Sequence, residues 1–188
     1  MAARPEVMDF LLTRRSRPVK LLHAPAPDRE ELLRLLTAAA RVPDHGKLEP
    51  WRFVVLSGPG KARFARAIRD RAAGTGQDPV KGASAFEEAP LTVAVVGSPR
   101  DASKIPALEQ TLSAGALCLG LVNAALASGW GACWLTGWPA YDGPFLQEAL
   151  GLAPGEWIAG FVHLGSSDGP PPERPRPDVP ALVTWVEA

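Results

Sequence analysis

A helix spanning Leu108–Ser128 would be apolar nearly all round. Such a helix has no face that water solvates well, so it belongs at the centre of a core or in an interface between subunits. Its densest stretch, Ala114–Ala127, is interrupted by Asn123 and is too short to span a bilayer. The other segments are therefore expected to build a soluble core around it.

Those segments alternate between helical and extended patterns. Val7, Phe10, Leu11 and Leu12 give a short helix over Glu6–Arg14, stopped by Pro18. Asp28 opens a second helix with Glu31 at the spacing of a capping box, and Pro43 ends it near Arg41. The Gly58-Pro59-Gly60 run reads as a turn before a basic amphipathic helix over Lys61–Arg71. Gly74–Ala85 is small and polar and reads as mobile. A short helix covers Pro144–Leu150, with Gly151 where a C-cap glycine would sit. Trp51–Ser57 and Leu91–Val96 read as buried strands, Trp130–Leu135 and Trp157–Leu164 as a third and a fourth strand, and Leu182–Val186 as a candidate final strand. This mixture points to an α+β or α/β class with one sheet. A single domain over 1–188 is expected, with a core at 6–165 and a C-terminal extension at 166–188. The last segment follows a proline-rich crossing, Gly169–Pro180, and is free to leave its own subunit and pair elsewhere.

Charge and motif content exclude several classes. Twenty basic and twenty acidic residues cancel, so no excess argues for a nucleic-acid or anionic-membrane partner. The N-terminal MAARPEVMDFLLTRRSRP lacks a continuous apolar core and carries Glu6 and Asp9. It suits neither a secretory signal nor a transit peptide, and a cytoplasmic protein is expected. Cys118 and Cys133 fit no metal motif and read as buried free thiols. His23, His45 and His163 are scattered, so no metal site is expected. SGPGKARF lacks the Walker spacing, no G-x-G-x-x-G follows a strand, and no G-x-S-x-G elbow exists.

Three segments keep a chemical reading open beside a plain one. Arg14, Arg15, Ser16 and Arg17 end a helix, where they can hold a phosphate through several charge-assisted hydrogen bonds. Cations at a helix C-terminus are also favourable without any ligand. Arg41 and the loop PDHGKLEPW, with Asp44, His45, Lys47 and Glu49, can line a cleft at a strand edge or simply connect helix to strand. In GWGACWLTG, at 129–137, glycines in and beside a strand permit close approach to a planar ligand, or plain core packing.

The order of these pieces carries more than any one of them. RRSR is followed by R-x-P-D-H with x-P-W-R-F, then E-Q-x-x-S-A-G opening the long helix, then G-W-G-x-x-W-x-T-G, then G-F-x-x-L-G. This series, from about Phe10 to Gly165, resembles the nitroreductase family, and within it the small YdjA-like branch of NAD(P)H nitroreductases. The resemblance implies a central mixed β-sheet flanked by helices and a homodimer with FMN held at its interface. It implies ping-pong, two-electron reduction of nitroaromatic, quinone or similar electron-poor acceptors by NAD(P)H. Arg14, Arg15 and Ser16 match the segment that holds the FMN phosphate and ribityl chain. Arg41 and His45 match contacts supplied by the partner subunit. Trp134, Leu135 and Thr136 match the strand end beside the flavin, with Leu135 where a polar residue can occur. Ala125, Leu126, Ala127, Ser128, Gly129 and Trp130 match a stretch assigned to NAD(P)H. Arg174 or Arg176 stands where a C-terminal basic residue reaches the phosphate. The resemblance implies no catalytic side chain, because the flavin carries the chemistry. The other readings are a non-catalytic flavin-binding or sensing module and a flavin enzyme of the same fold specific for one metabolite.

Overall fold

The computed structural model describes residues 2–102 and 104–187; the two ends of the expected 1–188 domain, and Ser103, lie outside the described residues. Its frame is a sheet of four strands, β1 (Trp51–Ser57), β2 (Leu91–Gly97), β3 (Gly131–Leu135) and β4 (Trp157–Gly165), in the order β1-β2-β4-β3. Every pairing among them is antiparallel, so the sheet is not mixed as expected. The connections give the reason. Two helices, α3 (Gly58–Thr75) and α4 (Pro79–Glu88), carry the chain out and back, so β2 starts opposite the end of β1, with Leu91 facing Ser57. One long helix, α5 (Ala107–Ala127), returns the chain to the end where β2 began. There β3 runs the same way as β2, but β4 lies between them, pairing Leu164 with both Leu91 and Ala132.

The helices cover both faces of the sheet. Side chains alternate along β2, so Val93 and Val95 face one layer while Ala94 and Val96 face the other. The first layer is α5 with α2 (Arg29–Ala39): Leu117, Leu121, Val122 and Ala125 of α5 pack with Leu32, Leu35, Leu36 and Ala39 of α2. Gly120 lets the two helices close up, since a Cβ there would lie 3.0 Å from the Ala39 carbonyl oxygen. The second layer joins Phe64 and Ile68 of α3, Phe86 of α4, and Phe145 and Leu146 of α6 (Gly143–Leu150) over Phe161 of β4. By length and composition the whole of α5, longer than its densest apolar stretch, would be sufficient to cross a bilayer. In this fold its inner face packs on the sheet and α2.

Local chemistry explains most boundaries. Asp28 and Glu31 form the expected capping box at the start of α2. Gly151, at φ 65°, closes α6 in the left-handed conformation. Gly58-Pro59-Gly60 is not a turn but the first turn of α3, where proline's fixed φ and missing N–H cost nothing. Gly74–Ala85 is not a mobile loop: α3 runs to Thr75, and Asp78 starts α4 by accepting from the Val80 and Lys81 amides. The expected last strand is also absent. The C-terminal segment forms α7 (Val179–Leu182) and then an irregular chain that leaves Trp185 and Val186 exposed. With no strand beside it, its backbone has no ladder to join. Cys118 and Cys133 are buried and free, as expected.

Two titratable groups make the fold sensitive to acid. His163, buried in β4, shares a hydrogen bond of 2.9 Å with the Thr92 hydroxyl. Burial first, and then the charge of Lys61, push its pKa down to about 3. The unfolded chain binds a proton at this residue below about 6.5 and the folded one does not, so stability falls as pH drops from 6.5 towards 3. Glu156 is held at about 2 by paired bonds from Arg52, so its contribution fades only from 4.5 downward. Replacing His163 with Asn should flatten the pH dependence of urea unfolding between pH 6.5 and pH 5. A variant as pH-dependent as the parent there would contradict this assignment.

Candidate functional site

The basic cluster sits beside the free edge of β3. The helix α1 (Pro5–Thr13) ends just before Arg14, and the chain then extends, with the Arg17 amide donating to the Ala132 carbonyl at 2.8 Å. The C-terminal extension folds back onto this segment. Arg15 donates to the Pro172 carbonyl at 2.6 Å and pairs with Glu173 at 3.2 Å. Between them opens a cleft of about 760 Å³, lined by Arg14, Arg15 and Ser16 on one side and by Arg174 and Arg176 on another. The strand residues Cys133, Trp134 and Leu135 also line it. Segments from both ends of the chain therefore meet at one place.

The electrostatics of this cleft are lopsided. Arg14 donates to the Ser16 hydroxyl at 3.1 Å, but its Nε is buried with no partner. Burial, followed by the facing charges of Arg176, Arg15 and Arg17, pulls the Arg14 pKa below its ordinary value. Among the described residues, Glu173 is the one carboxylate paired with any of these arginines. A buried guanidinium N–H without an acceptor is costly. Such a cluster fits an anion with several oxygens, and a phosphate monoester supplies both the charge and the acceptors.

Trp134 is held by a defect in its neighbour. The register of β4 slips between Gly160 and Ile158, so Ala159 is an extra residue in the ladder. The Trp134 indole N–H donates to the Ala159 carbonyl at 3.2 Å. The ring lies against Gly160, where an added Cβ would fall 1.8 Å from the indole nitrogen. The indole N–H is thus committed inward, and Trp134, 40% exposed as a whole, forms part of the cleft wall. Leu135 adds an apolar side chain to that wall. Thr136 does not: it lines a separate groove with Tyr141 and Trp157.

The other expected residues lie apart in the single chain. Arg41 follows α2 and is exposed. His45 hydrogen-bonds Glu109 at the start of α5, at 2.6 Å. Their loop is strained: Gly46, Lys47 and Glu49 all take positive φ, held by Asp44 accepting from the Leu48 and Glu49 amides. Non-glycine residues in that region cost energy, and such strain tends to gather at functional sites. The stretch Ala125–Trp130 ends α5 in a Schellman turn, with Gly129 donating to Leu126 and Trp130 to Ala125. Ala125 is fully buried, while Ala127, Ser128 and Trp130 line a groove against Glu31 and Arg34 of α2, not the arginine cleft.

The cleft also contains residues that sequence reading passed over. Ser84 and Glu88, one turn apart on α4, and Lys20 line it. Ser84 was hidden because the start of α4 looked like a mobile loop; its i, i+4 spacing from Glu88 was the available signal.

Comparison with known proteins gives the family and the fold. The model of the nitroreductase family matches residues 11–166. The chain is 35% identical over 164 residues to the Escherichia coli protein named "Putative NAD(P)H nitroreductase YdjA", covering 86% of this chain and 88% of that one. A like-named protein of Haemophilus influenzae is 33% identical over 166 residues, with 86% and 88% covered. Among solved structures, a nitroreductase-like protein from Bacillus cereus superposes with a TM-score of 0.83 at 23% identity, over the whole of both chains. An FMN-dependent nitroreductase from Clostridium difficile superposes with a TM-score of 0.68 at 20% identity, over 96% of this chain and 99% of that one. Both show the same fold.

The seat of Trp134 is open to test. Gly160→Ala should expel the indole and lower unfolding stability by about 1–3 kcal/mol, the usual cost of overpacking. Adding Trp134→Leu should relieve most of that loss. Equal urea midpoints for Gly160→Ala and the parent would refute the packing described.

Proposed function

We propose that this chain, which belongs to the nitroreductase family, binds FMN with its phosphate in the arginine cleft and works as an NAD(P)H-dependent oxidoreductase. The observation that carries this reading is the buried, unpartnered Nε of Arg14 within a cluster of arginines that one carboxylate only partly neutralises. The residues fit the group. Arg14, Arg15, Ser16 and Arg176 offer donors to a phosphate, while Trp134 and Leu135 offer an apolar wall to a ring system. At Leu135 only the backbone is left to hydrogen-bond a polar ring edge.

When bound, FMN supplies the redox chemistry, taking two electrons from NAD(P)H and passing them to a nitroaromatic, quinone or similar electron-poor acceptor in alternating half-reactions. The chain's own groups do the holding. The arginines offset the phosphate charge and any negative charge that develops nearby. No side chain is required as nucleophile or general base.

A homodimer completes the site in this reading. Three apolar surfaces of one chain face solvent: Met8, Leu11 and Leu12 on α1, Leu108, Leu112 and Leu119 on α5, and Leu182, Trp185 and Val186 at the C-terminus. A second copy covering them accounts for so much exposed apolar surface. Arg41 and His45 of the partner subunit then reach the flavin, and the strained loop that carries them fits such a role. The last segment, from α7 on, is exchanged between subunits, while residues 171–176 stay on their own chain. The Ala125–Trp130 stretch serves NAD(P)H only if the assembly brings its groove to a flavin. Buried free thiols suit a cytoplasmic enzyme.

Purified protein should be yellow, dimeric by light scattering, and bleached by NAD(P)H without oxygen. Arg14→Ala should weaken FMN binding by about 1.5–3 kcal/mol, the range for hydrogen bonds to a charged group. Unchanged affinity would remove the phosphate assignment. Bound FMN without NAD(P)H oxidation in the presence of a quinone would favour a non-catalytic flavin module instead.

A further inference from the structure

We propose that Glu173 is a positioning residue, which clamps the C-terminal segment so that Arg174 and Arg176 face the phosphate site. The inference rests on the phosphate reading of the arginine cleft. Glu173 itself does not line the cleft, whereas Pro171, Arg174 and Arg176 do. Its carboxylate stands behind them and is 63% exposed. From there it accepts from Arg176 Nε at 2.8 Å and pairs with Arg15 NH1 at 3.2 Å. It also accepts from the backbone amide of Arg174 at 3.1 Å. One side chain thus ties the N-terminal cluster to both C-terminal arginines.

The donor count makes Glu173 a clamp and not a competitor. A guanidinium has five N–H donors. Glu173 engages Arg176 through Nε, leaving its terminal nitrogens free for an anion. It meets Arg15 at NH1, the nitrogen already bonded to the Pro172 carbonyl, so Nε and NH2 remain. Burial puts Arg15 in place, its side chain being only 12% exposed. It therefore serves as the fixed end of the clamp.

A single exposed ion pair holds little. Here the chain around it adds stiffness. Glu173 lies in Pro170-Pro171-Pro172-Glu173-Arg174-Pro175-Arg176-Pro177. Prolines lock φ and favour extended segments that behave as semi-rigid spacers. A restraint at 172–173 is therefore passed on to 176, and Arg176 loses less entropy when an anion arrives. A flexible linker would dissipate the same contact.

Binding of FMN and of riboflavin, which lacks the phosphate, separates the possibilities. Both would be titrated by fluorescence into the full chain stripped of flavin. The parent should prefer FMN. Glu173→Ala should weaken FMN roughly three- to tenfold, the loss of one or two pre-ordered side chains, and leave riboflavin unchanged. Glu173→Gln, which keeps one acceptor, should fall between. Unchanged FMN affinity in Glu173→Ala would overturn the clamp, and so would an equal loss for both ligands. Tighter FMN binding would overturn it too, by making Glu173 a competitor. A parent that does not distinguish FMN from riboflavin would instead refute the phosphate reading itself, together with the clamp.

Discussion

Burial of α5 against the sheet sets the terms for everything else. Its inner face, from Leu117 to Ala125, meets β2 and β4 on one side and α2 on the other. Because one helix makes the return, β3 enters at the end of the sheet where β2 began, beside the last residues of β4. The outer edge of β3 is thereby left for the N-terminal segment, which takes it through the bond from Arg17 to Ala132. The arginine cleft exists because that edge was not filled by another strand. Gly120 and Ala39 show how closely the arrangement is drawn: a side chain between the helices would move α2 away from the core it covers.

Much of this could be read from residue order. β1 falls at Trp51–Ser57 as expected, and α5 differs from its expected span by one residue at each end. Those segments have unambiguous apolar patterns and clear stops. The failures came where local signals compete. Gly58-Pro59-Gly60 looks like a turn until Pro59 is seen as a helix-starting residue, a choice decided by the packing of Phe64 and Ile68 further along the helix. Gly74, Gly76, Pro79 and Gly82 disfavour a helix locally, and Ala83 and Ala85 alone do not outweigh them. The place of α4 against α3 comes from Gly82, Ala83 and Phe86, which a local reading cannot see together. The antiparallel sheet was hidden for a related reason, since strand order depends on where β4 inserts.

The site divides along the same line. Arg14, Arg15, Ser16, Trp134, Leu135 and Arg176 converge because contacts distant in sequence bring them to one sheet edge. Arg41, His45 and Thr136 do not join them within one chain. Residue types and their order pointed to the cleft, while three-dimensional packing added Ser84, Glu88 and Lys20 to it. The cluster also places cations close together, which opposes folding. Arg14 is partly buried among three other guanidinium groups, and burial, followed by their charges, pulls its pKa down.

The glycines opposite the tryptophans have a consequence for how this protein can change. Trp157 lies over Gly97, Trp138 over Gly82 and Trp134 over Gly160, each at a separation that no larger residue would permit. Each pair behaves as a single volume divided between two positions remote in sequence. A mutation that enlarges one member is blocked until the other shrinks, so the route between two viable sequences passes through a damaged intermediate. For Trp134 the constraint reaches the cleft wall. At Trp134 a larger residue opposite it in β4 requires a smaller one here, so this part of the wall changes together with Gly160 while Leu135 beside it is not so tied.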